Sequence, residues 1–146
     1  MPVWMVVEDE ADISAVLLAM FEDWGIGDLS FADGREAARW VDSVAHGLVT
    51  SELPELALID IRMPDISGPE LSAIIRHCVS LNNIGIVLMT AYRLSPEQEQ
   101  QVIAQARADA LIYKPLPGMT ALREFLDNIV AKRRLLDPKQ PFHKAP

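Results

Sequence analysis

Residues 56–60 are Leu-Ala-Leu-Ile-Asp, and the next eight residues, 61–68, are Ile-Arg-Met-Pro-Asp-Ile-Ser-Gly. Four consecutive apolar residues before Asp60 predict a strand that is buried on both faces, which is typical of the middle of a parallel sheet covered by helices. In such sheets, ligands bind beyond the carboxyl ends of the strands. The sequence therefore predicts a functional site around Asp60.

Three other apolar segments also end in polar residues. Residues 3–7 are followed by Glu8-Asp9-Glu10, residues 84–89 by Thr90, and residues 110–113 by Lys114-Pro115. Singly, each polar residue is more simply explained as a helix cap, a turn or a solvated loop residue. Together they would bring an acidic pair, an isolated aspartate, a hydroxyl and an amine to one edge of a parallel sheet.

This set of motifs, with Met63-Pro64 and Gly68 after Asp60, resembles the receiver domain of bacterial two-component response regulators. The resemblance covers roughly residues 1–135, nearly the whole chain. It implies that Asp60 is the phosphoryl acceptor, that Thr90 is the switch hydroxyl and that Lys114 contacts the phosphoryl group. It also implies that the Lys114–Pro115 peptide bond is cis.

The resemblance further implies a Mg²⁺ cofactor. Asp9 and Asp60 would bind the ion directly, Glu8 through water, and Arg62 through its backbone carbonyl. Carboxylates, carbonyls and waters are the ligands that Mg²⁺ prefers. The implied reaction is attack by the Asp60 carboxylate on a phosphoryl group, which gives an acyl phosphate.

The chain departs from the family pattern in four places. The acidic pair is Glu-Asp where Asp-Asp is commoner, and residues 46–54 are extra, extending the second helix or its exit loop. Leu111 stands where the family has an aromatic residue. We therefore expect either that Tyr113, on the same side of the strand, couples Thr90 to the fourth helix, or that this coupling is blunted. Arg62 and Tyr92 occupy positions that, by the resemblance, would flank the phosphoryl group and modulate its hydrolysis.

Five predicted strands alternate with five helical segments, which predicts an α/β fold: a doubly wound, five-stranded parallel sheet with helices on both faces. The flavodoxin-like order 2-1-3-4-5, which rests partly on the resemblance, places Asp9 and Asp60 on adjacent strands. The polar strand near residues 29–32 is predicted at the edge. The first helix is predicted to bury one face, made of Ile13, Val16, Leu17, Met20, Phe21 and Trp24.

Domain organisation follows from the distribution of proline. Residues 1–136 are predicted to form the receiver domain, and residues 137–146, with three prolines, a C-terminal tail or linker. The chain is then either a stand-alone receiver or the N-terminal part of a longer response regulator. The three histidines show no metal-ligand spacing, and His46, His77 and His143 are interpreted as surface or interfacial residues.

Composition excludes several classes of protein. A net charge of −8 and a pI near 4.8 argue against nucleic acid as a partner. No segment is apolar enough to span a membrane, and Glu8-Asp9-Glu10 follows the N-terminus too closely for a signal peptide. The single cysteine, Cys78, rules out a disulfide framework. We expect a cytoplasmic protein that is a monomer or a weak homodimer.

Three functions remain open. The first is a switch that is phosphorylated by a histidine kinase or phosphotransfer protein and then recognised by a downstream protein target. The second is an enzyme with an aspartyl-phosphate intermediate, similar to haloacid-dehalogenase-like phosphatases, but Arg62 stands where their second aspartate would act as the acid. The third is a degenerate receiver that acts as a constitutive protein-binding module.

Overall fold

The computed structural model describes residues 1–137, so the tail from residue 138 onward, with His143, lies outside the described residues. Five strands alternate with five α-helices. The strands are β1 Val3–Val7, β2 Gly27–Phe31, β3 Leu56–Asp60, β4 Gly85–Thr90 and β5 Ala110–Tyr113. The helices are α1 Ala11–Trp24, α2 Gly34–Ala45, α3 Gly68–His77, α4 Pro96–Ala106 and α5 Met119–Leu136, with a short 3-10 helix at Val79–Leu81.

The strands form one parallel sheet in the order β2-β1-β3-β4-β5, which confirms the predicted topology. β3 lies at the centre, and all five of its residues are buried. β2 lies at one edge with alternating exposure, as its polar sequence predicts. Because β1 and β4 flank β3, the residues that follow β1 and end β4 lie beside Asp60.

Helices cover both faces of the sheet, so alternate strand residues enter two separate cores. Met5, Ala57 and Ile86 pack with α2 and α3 on one face, and the buried Ala106 of α4 joins them. Trp4 and Leu58 pack with α1 and α5 on the other face. Burial of both faces explains the continuous apolar runs of β3 and β4. None of the helices within residues 1–137 is both long enough and apolar enough to cross a membrane.

The predicted buried face of α1 is wrong at one position. Leu17 and Phe21 are fully buried, but Val16 is 50% exposed. Successive helical residues are separated by about 100°, so a stripe centred on Leu17 and Phe21 turns Val16 toward solvent. A run of apolar residues therefore predicted a wider buried face than the helix has.

The extra residues 46–54 form a loop, since α2 ends at Ala45. The loop does not stand away from the domain: Val49 and Leu53 pack against the core on the α2 side, and Pro54 is buried. The alternative prediction, a longer second helix, is thus not what the chain adopts. His46 and His77 are both exposed, as expected.

Candidate functional site

The predicted site residues meet at the carboxyl edge of the sheet. Val7 of β1 pairs with Ile59 of β3, so Glu8 and Asp9 follow beside Asp60. Asp60 pairs with Met89, which precedes Thr90, and Thr90 pairs with Tyr113. The amide of Lys114 donates to the Thr90 carbonyl at 2.8 Å, and the Lys114–Pro115 peptide bond is cis.

Three carboxylates form the acidic part of the site. One oxygen from each of Glu8, Asp9 and Asp60 lies within 4.8 Å of the other two. Glu8 and Asp60 are buried, whereas Asp9 is exposed. Glu8 Oε1 is buried and makes no aligned hydrogen bond with any described group. An all-oxygen cluster of three carboxylates, two of them buried, fits a hydrated Mg²⁺ ion.

Lys114 supplies the positive charge of the site. Its Nζ lies 2.7 Å from Glu8 Oε1, an ion-pair distance despite the poor hydrogen-bond alignment, and 3.5 Å from Asp60 Oδ1. It also lies 3.4 Å from Glu10 Oε1. The lysine side chain is only 6% exposed, so its ammonium group is held among carboxylates and largely shielded from water.

Burial and neighbouring charges shift the pKa values of Asp60 and Lys114. Burial, followed by repulsion from Glu8, raises the pKa of Asp60 to about 7, although Lys114 opposes this shift. For Lys114, burial alone would lower the pKa, but the close contact with Glu8 and the attraction of Asp60 outweigh burial and raise it. Lys114 therefore stays charged at neutral pH, and the carboxylates attract a further cation.

The loop after β3 depends on Gly68. A Cβ atom on Gly68 would overlap the carbonyl oxygen of Asp60 and lie 2.8 Å from the Cα of Ile61. The Gly68 amide donates to the Ile61 carbonyl at 2.9 Å, and Ser67 caps α3. Gly68 thus lets the start of α3 pack directly on the backbone of Asp60 and Ile61.

Three further predicted residues lie at the end of β4 or in the loops after β3 and β4: Arg62, Thr90 and Tyr92. Thr90 is buried, and its Oγ1 accepts a 3.1 Å hydrogen bond from the Tyr92 amide. The Arg62 guanidinium lies 3.9 Å from the centroid of the Tyr92 ring, a cation–π contact between two exposed side chains. The loop after β3, which contains Arg62, therefore contacts the loop after β4, which contains Tyr92.

Leu111 and Tyr113 lie on the same side of β5 but in different surroundings. Leu111 is half-buried and packs against the core formed with α2, α3 and Ala106 of α4. The Tyr113 hydroxyl donates to Glu99 Oε2 at 2.6 Å and accepts from the Leu94 amide at 3.4 Å. Tyr113, rather than Leu111, bonds to the start of α4.

The other end of α4 is fastened to α3. Ser72 Oγ donates to the Ala106 carbonyl at 2.7 Å, and Arg76 Nε donates to the Arg107 carbonyl at 2.9 Å. Ser72 and Arg76 are buried, and Ala106 is the one fully buried residue of α4. The C-terminal end of α4 is therefore attached to the core more firmly than its N-terminal end.

Two residues near the site are absent from those predicted. Glu10 contacts Lys114, and Glu99 accepts the Tyr113 hydrogen bond. Glu10 could have been noticed because glutamate is unusual at a helix N-cap. Nothing in the sequence indicates Glu99, since an acidic residue in a first helical turn is ordinary.

Comparison with known sequences shows similarity to response regulators. The family model of the response regulator receiver domain matches residues 4–127. The polar-differentiation response regulator DivK of Brucella anthropi is 31% identical over 90 residues, which make up 61% of this chain and 72% of that protein.

Solved structures share the fold. The chemotaxis protein CheY4 of Vibrio cholerae matches with a TM-score of 0.74 at 22% identity, covering 88% of this chain and 98% of that one. A receiver domain of a Pseudomonas aeruginosa sensor histidine kinase, solved with a magnesium ion in its active-site cleft, matches with a TM-score of 0.73 at 22% identity, covering 89% and 98%.

Proposed function

This chain belongs to the response regulator receiver family, and on that basis we propose that Asp60 accepts a phosphoryl group from a phosphohistidine donor. Receiver domains act in two-component signalling and are not turnover enzymes. The observation that carries the proposal is the position of Asp60: it is buried at the end of the central strand, with Lys114 and two further carboxylates around it.

In the proposed reaction, an Asp60 carboxylate oxygen attacks phosphorus. An O–P bond forms, the P–N bond to the donor histidine breaks, and the imidazole nitrogen keeps the electron pair. Asp9 and Asp60 would hold Mg²⁺ directly, Glu8 through water, and Arg62 through its carbonyl. The ion, when bound, would neutralise charge between the anionic carboxylate and the anionic phosphoryl group.

Lys114 and Thr90 would stabilise the transferred group. Lys114 Nζ is already 3.5 Å from Asp60 Oδ1, close enough to contact a phosphoryl oxygen on that residue. The Thr90 hydroxyl accepts a hydrogen bond from Tyr92 and has its own proton to donate. Donors held in place before the reaction stabilise developing charge with little reorganisation.

We propose that the signal passes through α4. Movement of Thr90 would be transmitted along its pairing with Tyr113, whose hydroxyl bonds Glu99 and the Leu94 amide. The C-terminal end of α4 is held by Ser72 and Arg76. A change at the site would therefore displace the N-terminal turns of α4, which a downstream protein would recognise.

The proposed partners are a histidine kinase or phosphotransfer protein and a downstream protein, with the chain a monomer or weak homodimer. The net charge of −8 disfavours nucleic acid, because binding to phosphates depends on Lys and Arg. Tight, salt-dependent and sequence-selective binding of this chain to DNA would contradict that part of the proposal.

The direct test is labelling with acetyl phosphate and Mg²⁺. The chain should gain one phosphoryl group that hydroxylamine removes, and Asp60→Asn should gain none. Asp65→Asn is the matched control, because Asp65 is an exposed carboxylate in the same loop, at a positive φ that asparagine tolerates. Equal labelling of Asp60→Asn would overturn the assignment, and an unlabelled wild type would favour a constitutive binding module.

A further inference from the structure

Glu10 is an exposed acidic residue beside the reactive groups. Its Oε1 lies 3.4 Å from Lys114 Nζ, and its side chain is 58% exposed, compared with 6% for Lys114. Its backbone amide donates to Glu8 Oε2 at 3.1 Å, so its position is tied to a buried residue of the site. Glu10 is therefore the most exposed of the three carboxylates that contact Lys114.

Glu10 does not have the side-chain role expected at its position. It is the N-cap residue of α1, where Ser, Thr, Asp or Asn would accept a hydrogen bond from the first turn. Its side chain makes no capping bond. The carboxylate instead contacts the lysine that the proposed function assigns to the phosphoryl oxygens.

The charges at this edge are unbalanced. Glu8, Glu10 and Asp60 each contact Lys114, and Asp9 lies beside them, so four carboxylates face one ammonium group. A bound divalent cation would compensate the carboxylates that hold it. Glu10 lies outside that ligand cluster, so the cation would not compensate its charge. Its carboxylate competes with an incoming phosphoryl group for Lys114.

We propose that Glu10 is a specificity-determining residue of the phosphorylation reaction, which disfavours small anionic phosphoryl donors. A free anion is captured from solution, so repulsion by an exposed charge slows its entry. A protein donor adds contacts over a wider surface that offset the repulsion. Discrimination by repelling the wrong partner is a general route to specificity. This inference rests on the proposed function.

The test measures the labelling rate of Asp60 by acetyl phosphate at saturating Mg²⁺. Glu10→Gln should be about three- to tenfold faster than wild type at low salt, the effect of one charge acting through largely solvated space. The gain should fall below about twofold near 1 M salt, where the screening length is about 3 Å. It should also be smaller with phosphoramidate, which has less negative charge at neutral pH.

Two variants serve as controls. Glu10→Asp keeps the charge and should remain near the wild-type rate. Glu22→Gln makes the same change in charge near the other end of α1 and should leave the rate unchanged. If wild type is labelled but Glu10→Gln is no faster than Glu22→Gln, the role of Glu10 is contradicted while the proposed function stands. A gain for Glu10→Gln that persists at high salt would have the same meaning. If neither wild type nor Glu10→Gln takes label, the proposed function falls and this role with it.

Discussion

Tyr113 and Glu99 are joined by a 2.6 Å hydrogen bond that connects the end of β5 to the first turn of α4. Tyr113 pairs with Thr90 and directly precedes Lys114 in the chain. The same hydroxyl accepts a second bond from the Leu94 amide, ahead of the α4 cap at Ser95. One side chain therefore connects two site residues to the less firmly held end of α4.

We predict that this hydrogen bond transmits the switch. Beryllofluoride with Mg²⁺ should shift the backbone amide resonances of α4 and α5 in wild type. Tyr113→Ala should abolish those shifts while Asp60 is still phosphorylated, and Tyr113→Phe should reduce them because it keeps the ring but loses the hydroxyl. Full shifts in Tyr113→Ala would mean that the tyrosine only packs against α4.

The pKa of Tyr113 is predicted to lie above the ordinary value of about 10. The bond to Glu99 is the main cause, since it stabilises the protonated phenol and a phenolate would be repelled by the carboxylate. Any stability from this bond is present below about pH 10 and is lost as pH rises through the raised pKa.

The measurement is ultraviolet titration of Tyr92→Phe, which leaves Tyr113 as the single tyrosine. Adding Glu99→Gln should lower the pKa. Glu97→Gln makes the same change in charge in the same turn of α4, and the pKa of Tyr113 should be higher in this variant than in Glu99→Gln. Identical titration curves for the Glu99 and Glu97 variants would argue against the bond in solution.

Magnesium affinity should depend more on Asp9 than on Glu8. Asp9 is exposed and would bind the ion directly, whereas Glu8 is ion-paired with Lys114 and would act through water. Loss of an outer partner of a metal lowers affinity by about 10–100-fold. Calorimetry should therefore give a loss in that range for Glu8→Gln, a larger loss for Asp9→Asn, and little change for Glu22→Gln. A larger loss for Glu8→Gln would reverse the two roles.

Gly68→Ala should destabilise the domain and slow phosphorylation. The new methyl group would overlap the Asp60 carbonyl, so the loop after β3 or α3 must shift, with an expected loss of about 1–3 kcal/mol in the free energy of unfolding. Gly118→Ala is the control, because its Cβ meets no atom within 4 Å, and it should lose less than about 1 kcal/mol. Urea denaturation measures both; equal stability of the two variants would contradict the close packing at Gly68.

Local patterns were sufficient to predict the α/β class and the buried strands. The apolar run 56–59 identified the central strand because a strand buried on both faces has no polar alternation. Strand ends in a parallel sheet share one edge, so the sequence also predicted that Asp9, Asp60, Thr90 and Lys114 meet, and the structure brings them together. The strand order and the roles of these residues, however, depended on the family resemblance as well as on the pattern.

Contacts between distant residues could not be predicted in this way. Val16 belongs to an apolar run, but only the orientation of α1 on the sheet decides that it faces solvent. The contact of Glu10 with Lys114, 104 residues away, and that of Tyr113 with Glu99 depend on distances set by the folded chain. The sequence by itself determined which segments are buried and which reactive groups reach the edge of the sheet, because those properties follow from residue type and period. Only the tertiary structure decided which charges pair there, because Coulomb and hydrogen-bond energies depend on separations of a few ångströms.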